Sequence, residues 1–407
     1  MGQSVEPYRY LFTIGALNAV LGAAVWILYA ASLIPYPARI HPMLMSGGFM
    51  TSMVLGFLWT ALPRFTQATL TRYRDVFPVV VMQLSVTIAA MYNAIDLAYL
   101  FLSVSMLFTL RFSERCFTNA RQNSPPSFLF IRSGVILGAL SILVLFVQDV
   151  SPGGLVLSST LVGYARLFFI KGFTLFQLIG VGSRLMPAIL GTGLADRIMI
   201  DTEADGSLLQ RYFFRYGRTS ALILVIVSAF AYEAAGLTQT AALLFLVSLG
   251  SVVLHDFRAA SIRSRPQGIA MFVWLGALCM PLAPLLVLIQ PQFALHLWHV
   301  EFIGAIGLIT LMVGIRVSVS HSGFAQTHIE ERHASIPWMG WLIGAAMLTR
   351  ISVSWFPDMA LSHYTYAAVL WIIASVVWSY RVMLYSAIAE YRRLQQFRHQ
   401  PPSANHG

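Results

Sequence analysis

The sequence predicts an all-α, polytopic integral membrane protein: a single bundle of about twelve transmembrane helices. Three observations carry that reading. Of 407 residues, 57% are hydrophobic and only 10% charged, with a mean hydropathy of +0.72, a composition too apolar for a soluble core. Apolar runs long enough to cross a bilayer recur along the chain. The basic residues, 25 Arg and the single Lys171, gather in alternate connections between those runs.

Twelve spans are expected near 10–34, 41–63, 77–94, 96–112, 128–149, 155–180, 217–236, 238–256, 269–290, 293–316, 336–354 and 363–387. The first run has no clear cleavage site after it and is expected to be retained as a span. The third and fourth meet at a very short turn around Asn93 and Asp96. Arg64, Arg72 and Arg74 follow span 2; Arg111, Arg115 and Arg121 follow span 4; Arg184, Arg197, Arg211, Arg215 and Arg218 follow span 6; Arg258, Arg263 and Arg265 follow span 8; and Arg316 and Arg332 follow span 10. The other connections hold almost none, with Arg39 and Arg350 at their margins. The positive-inside rule then places both termini in the cytoplasm.

Residues 1–390 read as one transmembrane domain and 391–407 as a polar cytoplasmic tail. The loop at 188–214, acidic through Asp196, Asp201, Glu203 and Asp205, is expected on the cytoplasmic surface. The net charge of +10 forms no patch and has no interleaved aromatics, which excludes nucleic acid as a partner and leaves the lipid bilayer. Cys116 and Cys279 stand far apart, so neither a disulfide nor a thiolate cluster is expected. No phosphate-binding loop, helical zinc motif or nucleophile elbow is present.

The topology sorts the histidines. His41 opens span 2, and His296 and His299 open span 10, all toward the outer face, with His363 near the start of span 12. On an ideal helix Gly48 and Gly56 project within about 60° of His41, and Gly307 and Gly314 within about 80° of His299. Two neutral imidazoles above flat faces suit axial ligation of a buried haem; the same glycine faces suit plain helix packing. His296 competes with His299, about 60° away on the same helix. Without a Cys-x-x-Cys-His, a haem here is of the non-covalent b type. Arg39 or Arg166 could balance its propionates, with Arg166 equally suited to pair with Glu301 inside the bundle. Met43, Met45, Met50 and Met53 after His41 suit Cu(I) as well as apolar packing.

Three separated segments resemble the NnrS family, bacterial inner-membrane proteins associated with haem, copper and nitric oxide stress. They are His41-Pro42-Met43 through Gly56-Phe57-Leu58-Trp59-Thr60-Ala61-Leu62-Pro63; Gly182-Ser183-Arg184-Leu185-Met186-Pro187; and His299, Gly304-Ala305-Ile306-Gly307, Arg316 and His321-Ser322-Gly323. The chain departs from the family pattern at Arg39, where a second His is usual, at Ser320 in place of Gly and at Phe324 in place of Arg. More distantly, the chain resembles the catalytic subunit of haem-copper oxidases. That subunit holds its low-spin haem by histidines of spans 2 and 10, whereas Lys171 here stands where its span 6 has a copper-ligand His.

These resemblances imply a haem-copper-oxidase-like bundle with b-type haem, and with His41 and His299 as the metal ligands. His296, Gly48, Arg39 and Arg166 would stand around the cofactor, and copper would be a second metal. The implied role is respiratory: nitric oxide stress response or electron transfer with a redox partner, as a haem-dependent oxidoreductase in the inner membrane. A permease using Arg166, Lys171 and Glu301, or a non-catalytic subunit of a respiratory complex, remain the alternatives. His321, 22 residues beyond His299, is too distant to share its cofactor; a structural role near Arg184 and Arg316 is expected.

Overall fold

Each apolar run forms a helix, and the joints between them fall where the residues cannot continue one. The computed structural model describes residues 5–121, 124–151, 157–192, 208–262, 265–322 and 333–398. Among the described residues there is no strand, and twelve helices follow one another. They are α1 (Tyr8–Ala30), α2 (Ile40–Phe65), α3 (Tyr73–Met91), α4 (Ile95–Thr118), α5 (Phe128–Val150), α6 (Ser159–Ile189), α7 (Leu208–Ala234), α8 (Thr238–Asp256), α9 (Ile269–Ile289), α10 (Pro291–His321), α11 (Ser335–Ser352) and α12 (Ala360–Arg398). Eleven are long and apolar enough to cross a membrane. The exception, α11, has 18 residues, about 27 Å, and carries Arg350.

The turn between α3 and α4 is tight because Asn93 takes φ +56°, a left-handed conformation that Asn tolerates better than most residues. α12 continues as helix past Glu390 to Arg398, into the segment the sequence reads as tail. The acidic residues of the 188–214 loop, Gly323, Phe324, His328 and the last nine residues lie outside the described residues.

Neighbours in sequence pack as neighbours in space, and α1 closes against α12. Three helices spaced four apart, α2, α6 and α10, are the innermost. Their apolar windows are 83%, 78% and 67% buried, against 17–61% in the other eight spans. All three meet one another, and each contains a π-helical segment: Met43–Met50, Phe168–Gly172 and Val300–Gly307. π-turns are rare and gather at functional sites. Each takes about one residue more than an α-turn, so the side chains beyond it lag behind their ideal-helix directions.

Inside α1–α4 several buried polar groups pair with one another. Asn18 Nδ2 donates to Thr87 Oγ1 at 2.8 Å, Ser52 Oγ to Gln83 Oε1 at 3.0 Å, Gln83 Nε2 to Ser105 Oγ at 3.1 Å and Trp59 Nε1 to Thr109 Oγ1 at 3.2 Å. In an apolar surround such pairing replaces the water these groups have lost.

Candidate functional site

His41 and His299 line one cavity of about 400 Å³ at the end of the bundle where α2 and α10 begin, a size within the range of cofactor pockets, roughly 300–1,000 Å³. Its walls come from α1 (Ala23, Trp26), the following loop (Tyr36, Pro37, Ala38), α2 (Met45, Ser46, Met50), α6 (Ile170, Thr174), α10 (Phe302, Ile303, Ile306) and α12 (Ala367, Ala368, Trp371). Arg350 and Tyr364 add the polar corner.

The two imidazoles are held alike. His41 Nδ1 lies 2.7 Å from the Gly22 carbonyl, and His299 Nδ1 lies 3.0 Å from the Leu295 carbonyl. A carbonyl only accepts, so each Nδ1 carries the proton and donates it, and each Nε2 keeps a free lone pair. This is the arrangement by which proteins fix the tautomer of a metal-binding His. Trp26 presents an edge to the His41 ring and Phe302 to the His299 ring, with centroids 5.5 Å apart in each case.

His296 is handed elsewhere. Arg350 Nη1 lies 2.8 Å from His296 Nδ1. A guanidinium only donates, so this Nδ1 must accept and the proton of a neutral ring sits on Nε2. The ring then has no lone pair left for a metal, and it does not line the cavity. Arg350 itself is 9% exposed, stacks 4.6 Å from the Tyr364 ring centroid and has no carboxylate partner among the described residues. It stood out in the sequence as one of two arginines on the Arg-poor side, a signal that helix counting passed over.

The other arginines expected here are placed apart. Arg39 pairs with Asp149 at the end of α5 and stays largely exposed. Arg166 is exposed on α6, near enough to Tyr99 to act on it together with Asp149 and Arg39. The glycines are packing seams. A Cβ on Gly48 would stand 2.2 Å from Asn18 Oδ1, one on Gly307 2.9 Å from Trp371 and one on Gly314 2.7 Å from Trp378. Gly48 turns to α1 because the π-segment it belongs to shifts it away from His41.

A match to the model of the NnrS protein family spans residues 4–386, nearly the whole chain. The chain belongs to the NnrS family. No curated protein matches the sequence. The family segments identified in the sequence thus fall on the three innermost helices: α2 and α10 bring their histidines to the cavity, and α6 carries the Gly182–Pro187 turn at its far end.

The buried charges of this NnrS-family chain pair differently from the sequence expectation. Lys171, 1% exposed, places Nζ 3.1 Å from Glu233 Oε2 and 3.2 Å from the centroid of Trp298. Glu301 is fully buried, with both oxygens lacking a hydrogen-bond partner, and the charges that act on it are Lys171 and Glu233. Arg166 is not among them: it is exposed on the surface of α6, whereas Lys171 is buried. At the opposite end of α10, His321 Nδ1 lies 2.8 Å from the Val317 carbonyl and Nε2 lies 3.6 Å from Glu6 Oε2, with Tyr8 against the ring. The neighbours of its ring are thus Glu6 and Tyr8, while Arg184 packs over Phe65.

The methionines divide. Met45 and Met50 line the cavity, while Met43 Sδ would stand 2.8 Å from a Cβ on Gly47 and Met53 Sδ 3.0 Å from one on Gly15. No group of three His, Cys, Asp or Glu side chains gathers as a metal site among the described residues.

Proposed function

We propose that this NnrS-family protein binds a b-type haem between His41 and His299 and serves electron transfer in the response to nitric oxide stress. The supporting observation is the pair of imidazoles, each with Nδ1 tied to a backbone carbonyl and Nε2 free, lining one apolar cavity. The residues present fit the group: two axial donors, broad walls from Ile303, Ile306 and Trp371, and one buried guanidinium at Arg350 in place of the arginines the sequence suggested. Arg350, with Tyr36 and Tyr364 beside it, would hold the propionates.

When bound, haem supplies one-electron chemistry. His41 and His299 would both hold the iron, and a group so held would serve electron transfer rather than direct ligand binding. Trp26, Phe302 and Trp371 give the cavity an apolar wall. The Arg asymmetry supports an orientation with the histidine end on the outer side and both termini in the cytoplasm, and NnrS-family membership supports a bacterial inner membrane. Copper has less support, since the methionines do not converge.

The test uses purified full-length protein and the His41→Ala and His299→Ala variants, examined by absorption and electron paramagnetic resonance. The expected outcome is a low-spin, six-coordinate haem in the native protein and either a high-spin signal or loss of most of the haem in each variant. Unchanged haem content and spin state in both variants would move the site elsewhere and favour the permease reading.

A further inference from the structure

A second, smaller cavity lies beyond the first, toward the arginine end of the same three helices. It holds about 70 Å³, between Phe12 of α1, Phe57 of α2, Val181 of α6 and Val313 of α10. The two linings follow one another by single helical turns. Met50 of α2 and Ile306 of α10 line the larger cavity, Met53 and Ile309 line the smaller, and Thr174 of α6 lines both. Around this gap the bundle is filled. A Cβ on Gly56 would stand 2.8 Å from Phe12, one on Gly182 2.8 Å from Phe257 and one on Gly314 2.7 Å from Trp378. The space is left open where the three innermost helices meet.

The volume limits the guest. It exceeds the roughly 10–15 Å³ that one water-sized guest needs, and is under half the roughly 150 Å³ that admits one aromatic ring. The walls limit it further. The polar residues of the lining are Thr174, Gln177 and Thr310. Gln177 turns its amide to α5, where Nε2 donates to the Ile131 carbonyl at 3.2 Å and the missing side chain of Gly134 leaves room for it. Two hydroxyls remain, too few for the several waters the volume would admit, each of which needs two to four polar partners. Left empty, the gap forfeits contacts for the atoms that line it, so an apolar guest small enough to enter is favoured.

We infer that this cavity binds one molecule of a small, uncharged, apolar gas, taken up from the lipid and held one helical turn from the larger cavity. Such gases dissolve better in hydrocarbon than in water. Every wall of the site belongs to a helix long and apolar enough to span a membrane, so the bilayer supplies it. A charged or strongly polar ligand would shed its water here and find no partners in exchange. As a binding site it stands whether or not the adjoining cavity holds haem.

The probe is xenon, an uncharged atom that enters apolar protein cavities. Its nuclear magnetic resonance is recorded at rising xenon pressure with the full-length protein in nanodiscs and with empty nanodiscs of the same lipid. A protein-dependent shift that saturates with pressure is expected. Val313→Phe, which fills the cavity from α10, should abolish the saturable component. Val313→Ile, a gentler filling by one methylene, should weaken it. Ala367→Leu, in the wall of the larger cavity alone, and His41→Ala should both leave it in place. No saturable component above that of empty nanodiscs would overturn the inference, as would a component unchanged by both Val313 variants. A component that Ala367→Leu removes and Val313→Phe spares would put the gas in the larger cavity, which also overturns it. Monodispersity and melting temperature establish that each variant is folded.

Discussion

His299 and His321 sit at opposite ends of α10, and their local geometry is nearly the same. Each turns Nδ1 to the carbonyl four residues back, at 3.0 Å and 2.8 Å. The difference lies in the second nitrogen. His299 directs it to a 400 Å³ cavity shared with His41, while His321 places it 3.6 Å from the Glu6 carboxylate. One imidazole faces a cavity and the other stands beside a surface carboxylate. What a histidine can do is thus set by neighbours on other helices, although the helix that carries it fixes its tautomer.

The largest effect that sharpens this contrast concerns the brace behind His299. Lys171 lies on Trp298, the preceding residue, and pairs with Glu233. Lys171→Met should destabilise the protein by about 3–5 kcal/mol by leaving a buried carboxylate uncompensated, and Lys171→Met with Glu233→Gln should recover much of that. Thermal unfolding of both variants in detergent measures it. A single variant as stable as the native protein would show that the pair braces nothing.

Arg350→Gln comes next. It removes the charge without emptying the corner, and should weaken haem retention by about 2 kcal/mol, the worth of a charge-assisted hydrogen bond, with the axial spectrum unchanged. Haem titration of the apoprotein reads the affinity. If Arg39→Gln had the larger effect, the propionates would lie at the Asp149 side instead.

Gly48→Ala separates packing from cofactor contact. Its new methyl meets Asn18 Oδ1, so stability should fall by about 1–3 kcal/mol while haem content per folded molecule stays constant. A shifted Soret band with native stability would place Gly48 at the haem after all. The smallest effect is expected from His321→Ala. A partly exposed pair contributes about 0–1 kcal/mol, and the Soret band should remain; its loss would erase the contrast between the two ends of α10.

Much of this molecule could be read from the chain. Each span is an apolar run whose length the bilayer dictates, so their number and order emerged without any knowledge of contacts. His41 and His299 were legible because each opens a span on the Arg-poor side. Arg350 was visible in the same pattern but went unused, since its importance depends on what faces it. Gly48 lies in a π-helical segment, where an ideal 100° step per residue does not hold, and Arg166 turns to the surface of α6 at the depth of Glu301.

The sequence by itself determined the fold class, the spans, the asymmetry of charge and the family segments, because transfer of an apolar run out of water is a property of the run alone. Only the tertiary structure decided that Arg350 rather than Arg39 closes the cavity, and that Lys171 pairs with Glu233. Those outcomes depend on the rotation of each helix about its axis and on which helix stands opposite. π-turns and interlocking side chains set both, and neither leaves a periodic trace in the chain.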